Sequence, residues 1–240
     1  MSASVAGARG SPRFALAALT ATLIVSALVA AFIIAPPEME MGDLQRIFYF
    51  HVASAWTAFL AFFVVFLASI AYLRTRAIRW DIVASSAAEI GVVFTSVTLL
   101  SGSVWARSAW GTWWTWEPRL ATTLMLWLIY VAYLLLREMV DEPERRGVFA
   151  AVFGIVGFAD VPIVFMSVRW WRSLHPAVVT SEGFNMDSQM LPALFLSLAA
   201  FSVLFAYLLL VRTGLGRSEF RLAELRQRLY WRQEGIDLDE

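Results

Sequence analysis

Six long apolar stretches constrain the fold of this 240-residue chain more than any other feature. The hydrocarbon core of a bilayer is about 30 Å thick, so an α-helix needs roughly 20 apolar residues to cross it. The composition agrees, since 60% of the residues are hydrophobic and 16% are charged, outside the range of soluble domains. We therefore predict an all-α integral membrane protein, a bundle of six transmembrane helices. The expected spans are 14–35, 47–73, 82–105, 120–136, 147–168 and 188–211.

The arginines predict the orientation of this bundle. All 19 basic residues are arginines, and 14 of them lie in the terminal segments and in the two connections on the same side. Cytoplasmic segments carry such an excess, so both termini are expected in the cytoplasm and the connections near 36–46, 106–119 and 169–187 outside. We predict a transmembrane domain over 1–211, with an outward Trp-rich loop at 106–119. A cytoplasmic amphipathic tail follows at 212–240, lying on the lipid surface or docking a partner.

The composition also excludes several kinds of function. The 19 basic and 19 acidic residues cancel, which argues against a nucleic-acid partner. Cysteine is absent, so the chain has no disulfide, thiol redox centre or cysteine-ligated metal. Lysine is absent too, which excludes Schiff-base chemistry through lysine. A histidine-based site can use at most His51 and His175.

The tryptophans are concentrated in one outward loop. Five of the 11 fall within residues 105–116, and Glu117 follows directly. An aromatic belt at the membrane interface accounts for one or two tryptophans per helix end. The cluster therefore also suggests a platform for a large, flat, apolar ligand, or a protein interface. Composition leaves all three interpretations open.

The predicted topology brings both histidines to the side of this loop, together with four arginines. Two neutral imidazoles can ligate a heme iron from opposite faces, tryptophan can cover the macrocycle, and arginine can pair with the propionates. Zinc normally requires three or four protein ligands, so heme fits this set of residues better. The outward arginines of these loops are Arg107, Arg119, Arg169 and Arg172.

Three motifs resemble the cytochrome c maturation protein C (CcmC) family. Phe50-His-Val-Ala-Ser-Ala-Trp56 is similar to its first histidine motif and Trp170-Trp-Arg-Ser-Leu-His175 to its second. Trp110-Gly-Thr-Trp-Trp-Thr-Trp-Glu-Pro-Arg-Leu120 resembles the "WWD" signature of the wider superfamily. Six spans and two histidines match CcmC rather than the larger heme lyases, which carry more of both. Glu117 stands where the family pattern usually has Asp, which extends the carboxylate by one methylene.

The resemblance implies a function in heme delivery. Such proteins bind heme b at the periplasmic face of the bacterial inner membrane and present it to a periplasmic heme chaperone, for maturation of c-type cytochromes. They work with an ABC-type ATPase and its membrane partner subunit. His51 and His175 are then the expected axial ligands of the iron. The other expected heme-binding residues are Trp110, Trp113, Trp114 and Trp116 as the platform, Glu117 beside them, and Arg119, Arg107 and Arg172 as propionate contacts.

Other functions compete with this hypothesis. A heme permease predicts a polar path through the bilayer, and a structural membrane subunit of an ABC-type complex predicts no heme at all. A transmembrane heme relay needs four histidines. No catalytic acid or base is obvious, so the handover need not be enzymatic. Two acids within spans, Glu89 and Asp160, serve either in helix packing or in a contact with heme or a partner.

Overall fold

The computed structural model describes residues 12–39, 41–176, 178–180 and 183–233. Within these residues, six helical stretches are long and apolar enough to cross a membrane, which confirms the predicted six-helix architecture. The helices are α1 (Pro12–Val29, extended by a π-helical turn, Ala30–Ile34), α2 (Arg46–Thr75), α3 (Ile78–Trp110), α4 (Pro118–Met139), α5 (Pro143–Phe158), α6 (Asp160–Trp170) and α7 (Leu191–Gln233). Two 3-10 turns, Asp43–Gln45 and Ser188–Met190, precede α2 and α7, and the short strands β1 (Val179–Thr180) and β2 (Gly183–Phe184) pair antiparallel.

The helix ends follow from local residue chemistry. Proline is tolerated in the first turn because the N–H it lacks has no partner there, and Pro118 and Pro143 begin α4 and α5. At the other end, α3 ends at Trp110 and is capped by Gly111, whose φ of 73° is the left-handed conformation that glycine adopts without strain. The first four predicted spans each correspond to one helical stretch whose ends lie within five residues of the predicted bounds.

The fifth span differs from the prediction, because α5 and α6 divide it at Ala159. Pro162 lacks the N–H that would bond the carbonyl of Phe158 four residues earlier, which weakens the helix at this point. The break changes the neighbours of the two halves: α5 packs against both α2 and α4, whereas α6 packs mainly against α4. The helix that leads to His175, α6, is therefore positioned mainly by its packing against α4.

The core lies around the antiparallel pair α2 and α3, which share the most extensive contact. Small residues allow close approach of the helices, and α4 adds aromatic side chains. The ring of Phe62 stacks on that of Tyr130 with centroids 3.7 Å apart and planes at 12°. Helix α1 packs on α7 at the edge of the bundle. Small buried residues of the pair include Ala58, Ala61, Ala68, Ala84, Ala87 and Ala88.

Two ion pairs join helices at one end of the bundle, which we call the ion-pair end. Arg137 of α4 donates to both carboxylate oxygens of Asp81 on α3, at 2.5 and 2.8 Å. Arg212 of α7 donates to both oxygens of Glu89 on α3, at 2.5 and 2.9 Å. Glu89 therefore serves in helix packing. Asp160 is buried, and its Oδ2 has no hydrogen-bond partner among the described residues.

Helix α7 continues through residue 212 without interruption. Its 43 residues correspond to about 65 Å of helix, about twice the thickness of the hydrocarbon core. Residues 217–230 are all exposed. A separate tail over 212–240 that lies on the cytoplasmic lipid surface therefore stays a prediction. Residues 1–11, with Arg9, and residues 234–240 lie outside the described part of the chain.

Candidate functional site

A cavity of about 290 Å³ opens between the helices at the end opposite the ion pairs. This volume is close to the lower end of the range for small-molecule sites. The walls are mainly apolar and aromatic, with a few polar groups among them, as in ligand sites generally. The lining includes His51, Trp105, Trp110, Trp114, Arg119 and His175, with Gly102, Thr98, Phe165, Pro176 and Val178 among the others.

His51 is held rigidly, in the second turn of α2. Its Nδ1 lies 3.0 Å from the hydroxyl oxygen of Ser101 on α3. Gly102, the next residue, makes room for the ring: a Cβ there would lie 3.1 Å from Cε1 of His51. A hydrogen bond to one imidazole nitrogen orients the ring and leaves the other nitrogen for a metal. The imidazole of His51 thus has a fixed orientation on one side of the cavity.

His175 meets His51 across the cavity, although 123 residues lie between them in the sequence. The ring centroids are 6.2 Å apart and the planes are inclined by 40°. Two imidazoles that bind one metal ion from opposite sides, with bonds of about 2 Å, have ring centres roughly 6 Å apart. The observed separation therefore suits two axial ligands of one iron.

The electrostatic surroundings keep His175 in the form that ligates metals. Burial, and then the positive charge of Arg119 and the neighbouring His51, lower the pKa of His175 from 6.5 to about 3. The imidazole is therefore neutral at physiological pH, with a lone pair available. Its buried Nδ1 has no hydrogen-bond partner among the described residues.

Glu117 lies against the His175 loop rather than in the cavity wall. Its Oε2 accepts hydrogen bonds from the hydroxyl of Ser173 at 2.6 Å and from the backbone N–H groups of Leu174 and His175 at 2.9 and 3.2 Å. The residue is 9% exposed. The glutamate at this position thus joins the Trp-rich segment to the loop that carries the second histidine.

The four predicted platform tryptophans divide into two pairs. Trp110 and Trp114 line the cavity, whereas Trp113 and Trp116 are 59% and 78% exposed and do not. Trp105 lines it too, with its ring edge-on to that of Trp110 at 5.0 Å. Trp105 is not in the predicted set, although it belongs to the same cluster. Its spacing of three residues from Gly102 on α3 places both on one helix face, which is the signal that identifies it.

The predicted propionate-binding arginines also separate. Arg119 lines the cavity and donates to the backbone carbonyls of Val164 and Phe165, at 2.9 and 3.2 Å. It forms no ion pair with a described residue, so its charge remains available to an anionic group of a ligand. Arg107 instead bonds the carbonyl of Gly111 at its own helix end, and Arg172 is exposed. Neither of the last two lines the cavity.

The donor set fits heme better than a bare metal ion. Among the described residues, no group of three or more histidine, aspartate or glutamate side chains could hold a metal ion. A heme iron already has four porphyrin nitrogens and needs only axial ligands from the protein. Two facing imidazoles, three indoles and an unpaired guanidinium supply what such a ligand requires.

The chain is similar to known proteins over most of its length. A family model described as heme exporter protein C (CcmC) matches residues 5–228. Heme exporter protein C of Bradyrhizobium diazoefficiens is 36% identical over 216 residues, covering 88% of this chain and 82% of the relative. The Rhodobacter capsulatus protein of the same name is 33% identical, covering 88% of each chain. That of Escherichia coli K12 is 30% identical, covering 82% of this chain and 80% of the relative.

Proposed function

Because the chain belongs to the heme exporter protein C (CcmC) family, we propose that it binds heme b between His51 and His175 and presents it to a periplasmic heme chaperone. The family establishes the coarser function, a role in heme handling for cytochrome c biogenesis by a multi-pass membrane protein. The observation that carries the finer proposal is the pair of facing imidazoles, with ring centroids 6.2 Å apart.

Each lining residue has a distinct task in this proposal. His51 and His175 bind the iron of the cargo from opposite faces, both as neutral imidazoles. The indoles of Trp105, Trp110 and Trp114 cover the apolar part of the macrocycle. Arg119 pairs with a propionate, which orients the heme as well as retaining it.

The handover needs a contact with the chaperone outside the cavity. Trp113 and Trp116 are exposed beside it, and we assign them to the surface that the chaperone covers. Aromatic side chains with one free face are enriched in such interfaces. The covalent bond to heme then forms on the chaperone, so this chain needs no catalytic acid or base. An ABC-type ATPase and its membrane partner complete the complex and release the loaded chaperone.

The side of the membrane is tested by labelling single cysteines. The chain contains no cysteine, so each introduced thiol reports one position. We expect a membrane-impermeant maleimide to label Asn185→Cys in intact spheroplasts of the inner membrane and to label Asp141→Cys only after lysis. Both positions are exposed and lie in connections at opposite ends of the bundle. The reverse pattern would contradict a periplasmic heme site.

Delivery is tested by replacing the resident protein of a bacterium with this chain. We expect His51→Ala and His175→Ala each to abolish covalent heme in c-type cytochromes, measured by heme staining after denaturing electrophoresis. Asn185→Ala, in the same outward connection as His175, is the matched control and should support normal maturation. Normal cytochrome levels in both histidine variants, with the proteins present in the membrane, would contradict the proposal.

A further inference from the structure

We infer that Glu117 is a positioning residue for His175, and that His175 is the iron ligand that leaves during handover. The inference rests on the proposed function, because it concerns the ligand set of the same heme site. It assigns Glu117 to the loop of the second histidine instead of to the heme itself.

Glu117 fixes the His175 loop through three hydrogen bonds to one oxygen. The donors are the Ser173 hydroxyl and the backbone N–H groups of Leu174 and His175. Bonds to an ionised carboxylate are shorter and stronger than bonds between neutral groups. The carboxylate therefore sets the path of the backbone at the ligand residue.

The two histidines are held in different ways. His51 lies within α2, and its ring is bonded to Ser101 of the neighbouring helix. His175 lies in a loop, and the ring has no hydrogen bond at Nδ1 from any described residue. A segment held by few contacts opens at lower free energy than a packed helix. His175 is thus the ligand that moves away, and Glu117 controls when it does.

The position of Glu117 connects this control to the exposed tryptophans. It directly follows Trp116, which is 78% exposed, and precedes Pro118, the first residue of α4. A chaperone that covers Trp116 and displaces the segment before α4 withdraws the carboxylate from the His175 loop. Docking of the chaperone on the exposed surface is thereby coupled to release of His175 from the iron.

The test compares heme spectra of the full chain, purified in detergent and loaded with hemin. With both imidazoles bound, the iron is six-coordinate and low-spin. In Glu117→Gln we expect the ratio of His175-ligated to unligated iron to fall at least about tenfold, since charged hydrogen bonds to the loop are lost. The product is five-coordinate, high-spin heme that His51 retains. Added imidazole should restore the low-spin spectrum, as in His175→Ala, and heme capture by excess apomyoglobin should accelerate.

Glu38→Gln is the matched control. Glu38 lies at the same end of the bundle, and its Oε2 likewise accepts a hydrogen bond from a backbone N–H, that of Met41 at 2.6 Å. This hydrogen bond joins two residues outside the His175 loop. The control should remain low-spin. Glu117→Asp, which shortens the side chain by one methylene and keeps the charge, should give an intermediate high-spin fraction, and it replaces Glu117→Gln if that variant does not fold.

Two results would overturn the inference. One is a low-spin spectrum and a wild-type capture rate in Glu117→Gln, or in Glu117→Asp where that is the folded variant. The other is complete loss of heme from the same variant while His175→Ala retains it, because Glu117 would then act on heme without His175. Failure of the proposed function looks different: the wild-type protein itself would lack the low-spin spectrum, or would keep it after replacement of either histidine.

Discussion

The two ends of the helix bundle use polar groups in opposite ways. At the ion-pair end, the carboxylates of Asp81 and Glu89 are each matched by an arginine from another helix. At the opposite end, which we call the histidine end, the side chains of Arg119 and His175 line a cavity, and neither forms an ion pair with a described carboxylate. The first arrangement is complete within the protein, whereas in the proposed function the second is completed by a ligand with an anionic group and a metal centre.

This contrast separates stability from function along the same helices. A buried ion pair contributes to a defined packing of helices, and breaking it leaves one charge unpaired. An unpaired guanidinium and two neutral imidazoles keep their binding capacity for a ligand. Helices α3 and α4 contribute to both ends, so the ion pairs stabilise the same helices that form the cavity at the other end.

The largest expected effect on stability comes from breaking the Asp81–Arg137 pair. Asp81→Ala leaves a mostly buried guanidinium without its carboxylate, and we expect it to lower the free energy of unfolding by about 3–5 kcal/mol. Denaturation in mixed micelles measures this. Glu224→Ala, which removes an exposed pair with Arg228, is the control and should change it by less than about 0.5 kcal/mol. Equal effects in the two variants would contradict the distinction between the pairs.

Gly102→Leu should damage the histidine end alone. A Cβ at this position would already lie 3.1 Å from Cε1 of His51, so a leucine side chain displaces the imidazole. We expect at least about a tenfold loss of heme affinity, with about 1–3 kcal/mol of destabilisation from overpacking. Heme titration and denaturation measure the two effects. Ser108→Leu, on the exposed face of the same helix, should retain normal heme affinity; a matching loss there would show that the cavity is not the cause.

Replacing single tryptophans should sharpen the distinction between cavity and surface. Trp114→Ala removes a lining indole, and we expect a loss of heme affinity of about tenfold from lost stacking and burial. Trp116→Ala should change heme affinity by less than about twofold, because its side chain is largely exposed, but should slow transfer to the chaperone. The two variants serve as controls for each other. Equal heme affinity in both would contradict the division of the Trp-rich segment.

The smallest expected effect is a pH dependence of stability from His175. Its pKa is about 3 in the folded protein and about 6.5 in an unfolded chain. The unfolded chain therefore takes up the proton first, and the contribution of neutral His175 to stability is present above pH 6.5 and decreases as pH falls towards 3. Denaturation of the heme-free protein at pH 7.5 and pH 5 measures this. His175→Ala should show a smaller loss between the two; an unchanged loss would refute the burial of a neutral imidazole.

The bundle of six helices could be predicted from the sequence because membrane spanning depends on the length and hydropathy of each segment, which are local properties. The break at Ala159 was missed, although Pro162 is visible in the sequence, because a proline in a span either kinks or divides the helix and packing decides which. The predicted topology placed His51 and His175 on one side of the membrane, and only the family resemblance implied that they ligate one iron. Their separation of 6.2 Å depends on how α2 and the loop after α6 pack.

Other site features could not be predicted because they depend on distant partners. Glu117 accepts hydrogen bonds from the hydroxyl of Ser173 and from the backbone N–H groups 57 and 58 positions after it, contacts that no spacing rule indicates. Arg107 and Arg119 look equivalent in the sequence, but the first is satisfied by its own helix end. The segment between α3 and α4 has no regular period, so sequence does not reveal that Trp114 faces inward and Trp113 outward.

Absorption spectra of the purified protein would show whether His51 and His175 hold a heme between them. We would record the oxidised and reduced forms of the wild-type chain, His51→Ala and His175→Ala. We expect a b-type spectrum with two imidazole ligands in the wild type, and its loss in both variants. A wild-type protein that binds no heme after reconstitution, or variants that keep the wild-type spectrum, would contradict this expectation.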